Sequence, residues 1–197
     1  MTRAARIAIA CALLVAGSWG LAWDGTAAAD APPTRPLLVM TGWVSEIAEP
    51  RWRLAASQAV FDEEWMAHMG DRVQRAAQGW PMTPSIDFTA CQAIFIFGGD
   101  GFNANGFRVE QMVEAADALT IRFDRISFQT SSSDGPDHGH PARPWAVVVV
   151  PRTDRTVILE ENVQGLIGEP PVWKRRAAFP GRIGVGRTVP GTGQTDH

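Results

Sequence analysis

The stretch that decides the fold is Pro84–Glu110, PSIDFTACQAIFIFGGDGFNANGFRVE. It leads from a polar Asp-Phe pair into the apolar run Ala93–Phe97, which is typical of a central strand buried on both faces. A turn rich in glycine and asparagine follows, and from Phe107 onward apolar and polar residues alternate. We therefore predict a core strand, Ile86–Phe97, then a tight turn and a return strand.

Upstream of this stretch, the pattern predicts two strands and one helix. Leu37–Ile47 and Arg51–Phe61 have strand patterns and are joined by a Glu-Pro turn. Asp62 is predicted as the N-cap of the helix, with Glu63 and Glu64 in the first turn beside the positive end of the helix dipole. The apolar residues of this amphipathic helix recur at helical spacing: Phe61, Trp65, Met66, Met69, Val73, Ala76 and Ala77.

Downstream, the period of two continues through several further strands. Phe107–Val113 is the return strand, and the next strand covers residues 119–128, where a change of parity predicts a bulge near residues 124–125. Trp145–Pro151 and Thr156–Val163 are predicted to form a hairpin. The predicted fold class is α+β, a mostly antiparallel β-sheet or sandwich of about seven strands with one main amphipathic helix.

Composition divides the chain into four parts. Residues 1–29 contain two early arginines, the apolar run Ile7–Gly17 and then small residues, the pattern of a secretory signal peptide. That run of 11 residues is shorter than the about 20 that a membrane-spanning helix needs. Residues 30–36 are a proline-rich linker, and residues 37–164 are a single β-rich domain. Residues 165–197 are a Gly/Pro-rich basic tail, predicted to be disordered or to dock as an arm on an acidic partner.

Charge and cysteine content limit the classes of partner. Without residues 1–29, which hold two Arg and one Asp, the chain keeps 16 basic and 20 acidic residues, a net charge of −4. This balance gives no reason to expect a nucleic-acid partner. Cys91 is then the only cysteine, so no internal disulfide forms, and its apolar surroundings favour a packed side chain. We expect a periplasmic or secreted protein without a transmembrane segment in the mature chain.

The glycine-rich segment Gly99–Ala104 matches the pattern G-x-G-x-x-A. In dinucleotide-binding folds this pattern precedes a helix whose N-terminus faces the pyrophosphate. That reading requires a helix after Gly106, whereas the alternation that follows favours a hairpin turn. An EF-hand calcium loop is excluded because Gly101 and Met112 stand where carboxylates are needed. Asn105 and Gly106 are predicted to supply positive φ values for the turn.

One polar loop carries candidate metal ligands. Asp134, Asp137, His138 and His140 crowd the segment SSSDGPDHGHP. Imidazole and carboxylate groups could hold zinc or nickel, with solvent at the open positions. The loop is also rich in proline and glycine, which favours a flexible polar loop instead. The metal site is therefore kept as an alternative hypothesis.

The chain contains no recognisable catalytic motif and gives no reason to expect a cofactor. Neither G-x-S-x-G nor H-E-x-x-H is present, which favours a non-enzymatic role. His68, beside the apolar stripe of the helix, is predicted to be a surface or boundary residue. Most aromatic side chains are expected in the core, while Trp43, Trp52 and Trp173 are expected to be partly exposed and could contact a small ligand or glycan.

Four short motifs come in an order that resembles the C-terminal domain of PrcB-like protease-complex subunits. They are Phe61–Trp65 on the helix, Ile86–Phe88, Asn105–Phe107 and Pro144–Val148. The resemblance covers about residues 57–162. It implies a non-catalytic partner domain, which in some members is associated with an exported protease complex, and it supplies no catalytic residues.

The leading hypothesis is therefore an exported, non-catalytic module that binds or stabilises another protein, such as an extracytoplasmic protease. The predicted partner-binding surface is the 98–106 turn with the 130–143 loop, and its candidate residues are Asp100, Phe102, Asn103 and Asn105. Any unpaired strand edge would extend this surface, since an edge can add a peptide strand. The alternatives are the metal-binding loop, as a metal-binding protein or metal-dependent enzyme, and a module for small ligands or glycans.

Overall fold

A computed structural model describes residues 34–72, 83–131, 138–166 and 168–181. Within these ranges lie one helix and ten strands. The elements are β1 (Leu38–Gly42), β2 (Arg51–Ala55), α1 (Gln58–Met69), β3 (Cys91–Phe97), β4 (Gly101–Phe102), β5 (Ala104–Glu114), β6 (Ala118–Ser127), β7 (Pro141–Ala142), β8 (Trp145–Pro151), β9 (Thr156–Asn162) and β10 (Trp173–Phe179). The predicted α+β class, mostly β with one helix, is confirmed.

The strands form two four-stranded sheets and one short ribbon. The first sheet has the order β1-β8-β3-β2, and all its pairs are antiparallel. The second sheet has the order β10-β9-β6-β5, in which β6 and β9 are parallel and the other pairs antiparallel. Because a parallel pair needs a long crossover, the chain passes through β7 of the ribbon and β8 of the first sheet between β6 and β9.

The first sheet is covered on both faces. One face packs on the second sheet through side chains such as Ile94, Ile96 and Val148. The other face packs under α1 through side chains such as Phe95 and Phe61. This position explains why β3 and β8 are apolar at successive residues, since each side of these strands meets a core.

The strand neighbours differ from the predicted hairpins. β3 pairs with β2 and β8, whereas β5 pairs with β6 in the other sheet, so the predicted return strand does not return to β3. β8 and β9 are likewise in different sheets, and β8 and β3 separate β1 from β2. Alternation identifies a strand and its buried face but carries no information on which strand lies beside it.

The helix begins earlier than predicted and ends at Gly70. Ser57 is the N-cap, with its Oγ accepting the N–H of Val60 at 3.4 Å, and Gly70 is the C-cap at φ 53°. The assignment of Asp62 as N-cap is therefore wrong: its carboxylate instead accepts from Gln58 Nε2 at 2.7 Å and Thr83 Oγ1 at 2.6 Å. The predicted helical residues beyond this end, Val73, Ala76 and Ala77, lie outside the described residues.

The bulges lie on β5 rather than on β6. The register shifts between Ala104 and Phe107 and again between Val109 and Gln111, and both extra residues belong to β5. Gly106 has a positive φ of 121°, as predicted, but the asparagine of the turn with a positive φ is Asn103, at 52°. The prediction of a positive φ for Asn105 is wrong, because Asn105 has already entered the strand.

Part of the predicted disordered tail is a strand. β10, Trp173–Phe179, pairs with β9 along the edge of the second sheet. The prediction failed here because three consecutive basic residues hide the alternation of the strand. The predicted signal peptide and the last 16 residues, 182–197, lie outside the described ranges. Among the described helices, none has the length and apolar character needed to cross a membrane.

Candidate functional site

A groove lies beside the ribbon β4-β7, and we call it the Trp43 groove. Its volume is about 720 Å³. It is lined by Trp43, Val44, Ser45, Glu46, Asp100, Gly101, Phe102, Pro141, Ala142 and Arg143. Trp43 is 54% exposed, Val44 40% and Phe102 61%. Several large apolar side chains left exposed around one concavity are typical of an interaction site.

Backbone hydrogen bonds hold the walls of the groove together. In the ribbon, Gly101 pairs with Ala142 and Phe102 with Pro141. The N–H of Arg143 donates to the carbonyl of Trp43 at 2.9 Å, which attaches the ribbon to the segment after β1. The groove is therefore built from three segments that are far apart in sequence.

Arg143 organises the charged rim. Its Nε lies 2.6 Å from Asp100 Oδ1, and its Nη1 lies 3.8 Å from Glu46 Oε2. The hydrogen bond from Arg143 to Asp100, with the charge of that carboxylate, raises the pKa of the guanidinium above its ordinary value. The lining contains two carboxylates and one guanidinium, so the groove has one excess negative charge.

The floor of the groove is tied to α1 through a buried histidine. Ser45 Oγ accepts the N–H of Ile47 at 3.1 Å and lies 2.9 Å from His68 Nδ1. His68 is fully buried, and its ring centroid lies 4.2 Å from that of Trp145. The prediction of a surface or boundary position for His68 is wrong, because the helix turns this face onto the first sheet.

Burial also sets the charge state of His68. Desolvation, with a smaller contribution from Arg72, lowers the pKa of His68 to about 4. Its Nε2 has no hydrogen-bond partner in the described part of the chain. Ser45 is only 3% exposed, so its hydroxyl fixes the 45–47 segment and is not presented to solvent as a nucleophile.

The four predicted partner-binding residues come together on this side of the molecule. Asp100 and Phe102 line the Trp43 groove. Asn105 is exposed and lines an adjoining depression of about 290 Å³ that also contains Trp43. Asn103 has a supporting position, because its Oδ1 accepts the N–H of His140 at 2.7 Å.

Val44, Ser45 and Glu46 line the groove but were not predicted as partner-binding residues, whereas Arg143 belongs to the predicted loop 130–143. Val44 and Glu46 lie in what was predicted as a continuous strand, although β1 ends at Gly42. Arg143 is on the far side of a loop and reaches Asp100 only through the ribbon pairing. A signal that could have found the first three is the irregular composition of residues 43–50, where the strand alternation fails.

The candidate metal loop is described only in part. Asp134 and Asp137 lie outside the described residues, while His138 and His140 lie within them, on either side of Gly139. The ring of His140 lies 6.2 Å from that of Phe128. Across the ranges that the structure covers, no group of three or more His, Cys, Asp or Glu side chains is placed to hold a metal ion.

The glycine-rich motif Gly99–Ala104 does not form a dinucleotide-binding site. Gly99–Ala104 is followed directly by β5, so the helix that a dinucleotide site requires is replaced by a strand. The glycines have a packing role: a Cβ on Gly99 would lie 2.7 Å from Pro50 Cδ and 2.8 Å from the carbonyl of Ala48. The dinucleotide reading is therefore wrong.

Among the three tryptophans predicted to be partly exposed, Trp43 presents the most surface. Trp52 is half-buried against the core between the sheets. Trp173 is half-buried on β10, with the guanidinium of Arg122 5.2 Å from its ring centroid. Trp43 is thus the tryptophan best placed to contact a ligand.

Comparison with known proteins adds no relative. No family model, no curated protein and no solved structure matches this chain.

Proposed function

We propose that this chain is an exported, non-catalytic module that binds a segment of another protein in the Trp43 groove. The observation that carries the proposal is the pair Trp43 and Phe102, 54% and 61% exposed, on the lining of a cavity of about 720 Å³. Leaving two large aromatic side chains in water is unfavourable unless a partner covers them, and aromatic residues are common binding hot spots.

The partner segment is an extended peptide with an apolar side chain and a basic one. The exposed aromatic residues provide an apolar contact, and Glu46 and Asp100 leave one excess negative charge after pairing with Arg143. Charge complementarity of this kind selects the partner and increases the association rate. A segment with lysine or arginine next to an apolar residue therefore fits better than an acidic one.

The resemblance to PrcB-like domains supports the choice of a protein partner. Such domains are associated in some members with an exported protease complex, and the N-terminal pattern of this chain favours export. An accessory subunit of an extracytoplasmic protease complex is thus the specific form of the proposal. The partner would then be a protease or another exported subunit.

A peptide titration tests the proposal. Two peptides of equal length, one with the core Leu-Lys-Val-Lys and one with Leu-Glu-Val-Glu, are titrated into the purified protein by calorimetry. The proposal expects saturable binding of the lysine peptide, which Trp43→Ala or Phe102→Ala weakens at least about tenfold. Val172→Ala is the control, because Val172 is also exposed (51%) but does not line the groove.

Equal affinity of the three variants would contradict the groove as the site. If neither peptide binds and the protein also fails to bind a co-expressed exported protease, the protein-binding function itself is contradicted.

Glycan binding is a second candidate, favoured by the exposed ring of Trp43 beside two carboxylates. Sugars stack on aromatic faces, whereas a peptide side chain needs mainly apolar area. Trp43→Leu separates the two: it keeps apolar contact and removes the ring. A peptide site keeps measurable affinity in this variant, while a glycan site loses binding of an oligosaccharide such as chitotriose.

A further inference from the structure

A small chamber lies between the two sheets, on the core-facing side of β5. Its volume is about 90 Å³. Its aromatic walls are Trp52, Phe107 and Phe123. Phe107 and Phe123 are at most 2% exposed, so the chamber reaches the core of the sandwich. A space of this size corresponds to about three water molecules.

Three charged side chains also line the chamber: Glu161, Arg176 and Arg125. Glu161 is buried, with Oε2 2.6 Å from Arg176 Nε. Arg125 Nη2 lies 3.9 Å from Glu161 Oε1, and the Arg125 guanidinium lies 5.6 Å from the ring centroid of Phe107. Two guanidinium groups and one carboxylate give the chamber an excess positive charge.

Arg125 differs from Arg176 in having unused donors. Arg176 is held by its short contact with Glu161. The Arg125 guanidinium makes no hydrogen bond to any group in the described ranges, and its closest carboxylate contact is the 3.9 Å one with Glu161. A guanidinium has five N–H donors in a planar fork that matches a carboxylate. Arg125 can therefore receive an external anion without breaking a bond.

The chamber adjoins a larger groove through which a ligand could reach it. This outer groove has a volume of about 570 Å³, and Arg125 and Glu161 line both spaces. Its other lining groups include Arg108, the carboxylates Asp124 and Glu169, and the polar side chains Ser127, Asn162 and Gln164. A polar outer space followed by an aromatic inner one matches a ligand with a polar head and a short apolar tail.

We propose that this is a binding site for a small organic carboxylate with a short aliphatic tail. The carboxylate pairs with the Arg125 guanidinium, and the tail of about two to four carbon atoms enters the aromatic chamber. The site does not include any residue of the Trp43 groove and is independent of the function proposed above. The bound tail would lie between Trp52 of the first sheet and Phe107 and Phe123 of the second.

Titration of the purified protein with sodium butyrate, followed by NMR on the tryptophan indole N–H signals, tests this site. Saturable binding is expected, with the Trp52 signal among those that shift. Acetate should bind more weakly because its tail leaves the chamber empty, and n-butanol more weakly because it has no charge. Arg125→Met keeps the aliphatic stem over Phe107 and should weaken butyrate binding at least about tenfold.

Arg155→Met is the matched control, because Arg155 is an exposed arginine that pairs with Glu114 and lines neither the chamber nor the outer groove. If Arg125→Met fails to fold, Arg125→Lys replaces it and should show an intermediate affinity. The proposal is overturned if butyrate shifts do not saturate, if n-butanol binds as well as butyrate, or if the Arg125 and Arg155 variants bind equally.

Discussion

Arg143 Nε lies 2.6 Å from Asp100 Oδ1, and this contact joins the ribbon β4-β7 to the turn that follows β3. Both side chains line the Trp43 groove, 43 positions apart in the sequence. The pair is exposed, so its contribution to the free energy of unfolding is small. Its importance lies in setting the shape and charge of the groove.

The charge of the groove can be reversed by two substitutions that keep the size of each side chain. In the double variant Glu46→Gln and Asp100→Asn, the excess charge changes from one negative to one positive. We expect the preference for the lysine peptide over the glutamate peptide to disappear or invert. The measurement is the ratio of the two dissociation constants at low and high salt, since salt screens exposed charges. An unchanged ratio would contradict the role of these carboxylates.

His68 makes stability depend on pH in a defined window. The unfolded chain takes up this proton near the ordinary pKa of 6.5, whereas burial lowers the pKa of folded His68 to about 4. The unfolded state therefore binds more protons between these values, and stability falls as pH decreases from 6.5 to about 4. The loss attributable to His68 is at most about 3 kcal/mol.

Denaturant unfolding at several pH values checks this, with His68→Gln as the reference. The variant is expected to lack the His68 contribution, so the stability difference between the two proteins should change across this window. Parallel pH profiles for the two proteins would show that His68 is not the group responsible.

Glu64 is a buried carboxylate that two arginines hold in place. Its Oε2 lies 2.6 Å from Arg51 Nη2 and its Oε1 3.0 Å from Arg53 Nε. Glu64→Gln should destabilise the protein by about 1–3 kcal/mol, because hydrogen bonds to charged groups are lost at a buried position. Glu63→Gln is the matched control: Glu63 is exposed, and its change should stay within about 0.5 kcal/mol. Equal effects in urea unfolding would contradict this assignment.

Gly106 is required where β5 approaches β1. It has φ 121°, and an added Cβ would collide with Thr41 Oγ1 and lie 2.9 Å from Gly42 N. Thr41 Oγ1 cannot move freely, since it accepts the N–H of Phe107 and donates to the carbonyl of Trp145, both at 2.9 Å. Gly106→Ala should cost more than about 2 kcal/mol.

Gly165→Ala provides the comparison for that substitution, because a Cβ at Gly165 meets no atom within 4 Å. Its effect should be within about 0.5 kcal/mol of zero. Thermal unfolding of both variants measures the difference in stability. A Gly106→Ala protein as stable as Gly165→Ala would contradict the close approach of β5 to β1 at Gly106.

The sequence patterns predicted the elements better than their arrangement. The apolar run Ala93–Phe97 correctly indicated a strand with a core on both faces. The same pattern could not show that β8 lies beside β3, because neighbours are chosen by packing over long separations. β10 was missed since Lys174, Arg175 and Arg176 interrupt its apolar residues, and its partner β9 compensates with Glu160 and Glu161.

The sequence indicated separate parts of the candidate site, namely the 98–106 turn, the 130–143 loop and Trp43, but not that they meet in one groove. Asp100 and Phe102 are local to the glycine-rich segment and could be named from the sequence. Trp43, Glu46 and Arg143 join them through the hydrogen bond from Arg143 to the Trp43 carbonyl and the ribbon pairing. These contacts depend on the tertiary fold, which spacing in the sequence does not show.

Hydrogen exchange with and without the lysine peptide at saturation shows whether the Trp43 groove receives a peptide segment. Exchange should become slower at residues 43–46, 100–103 and 141–143, with no change in β9 or β10. Protection confined to another surface, such as the edge strand β10, would contradict binding in the groove.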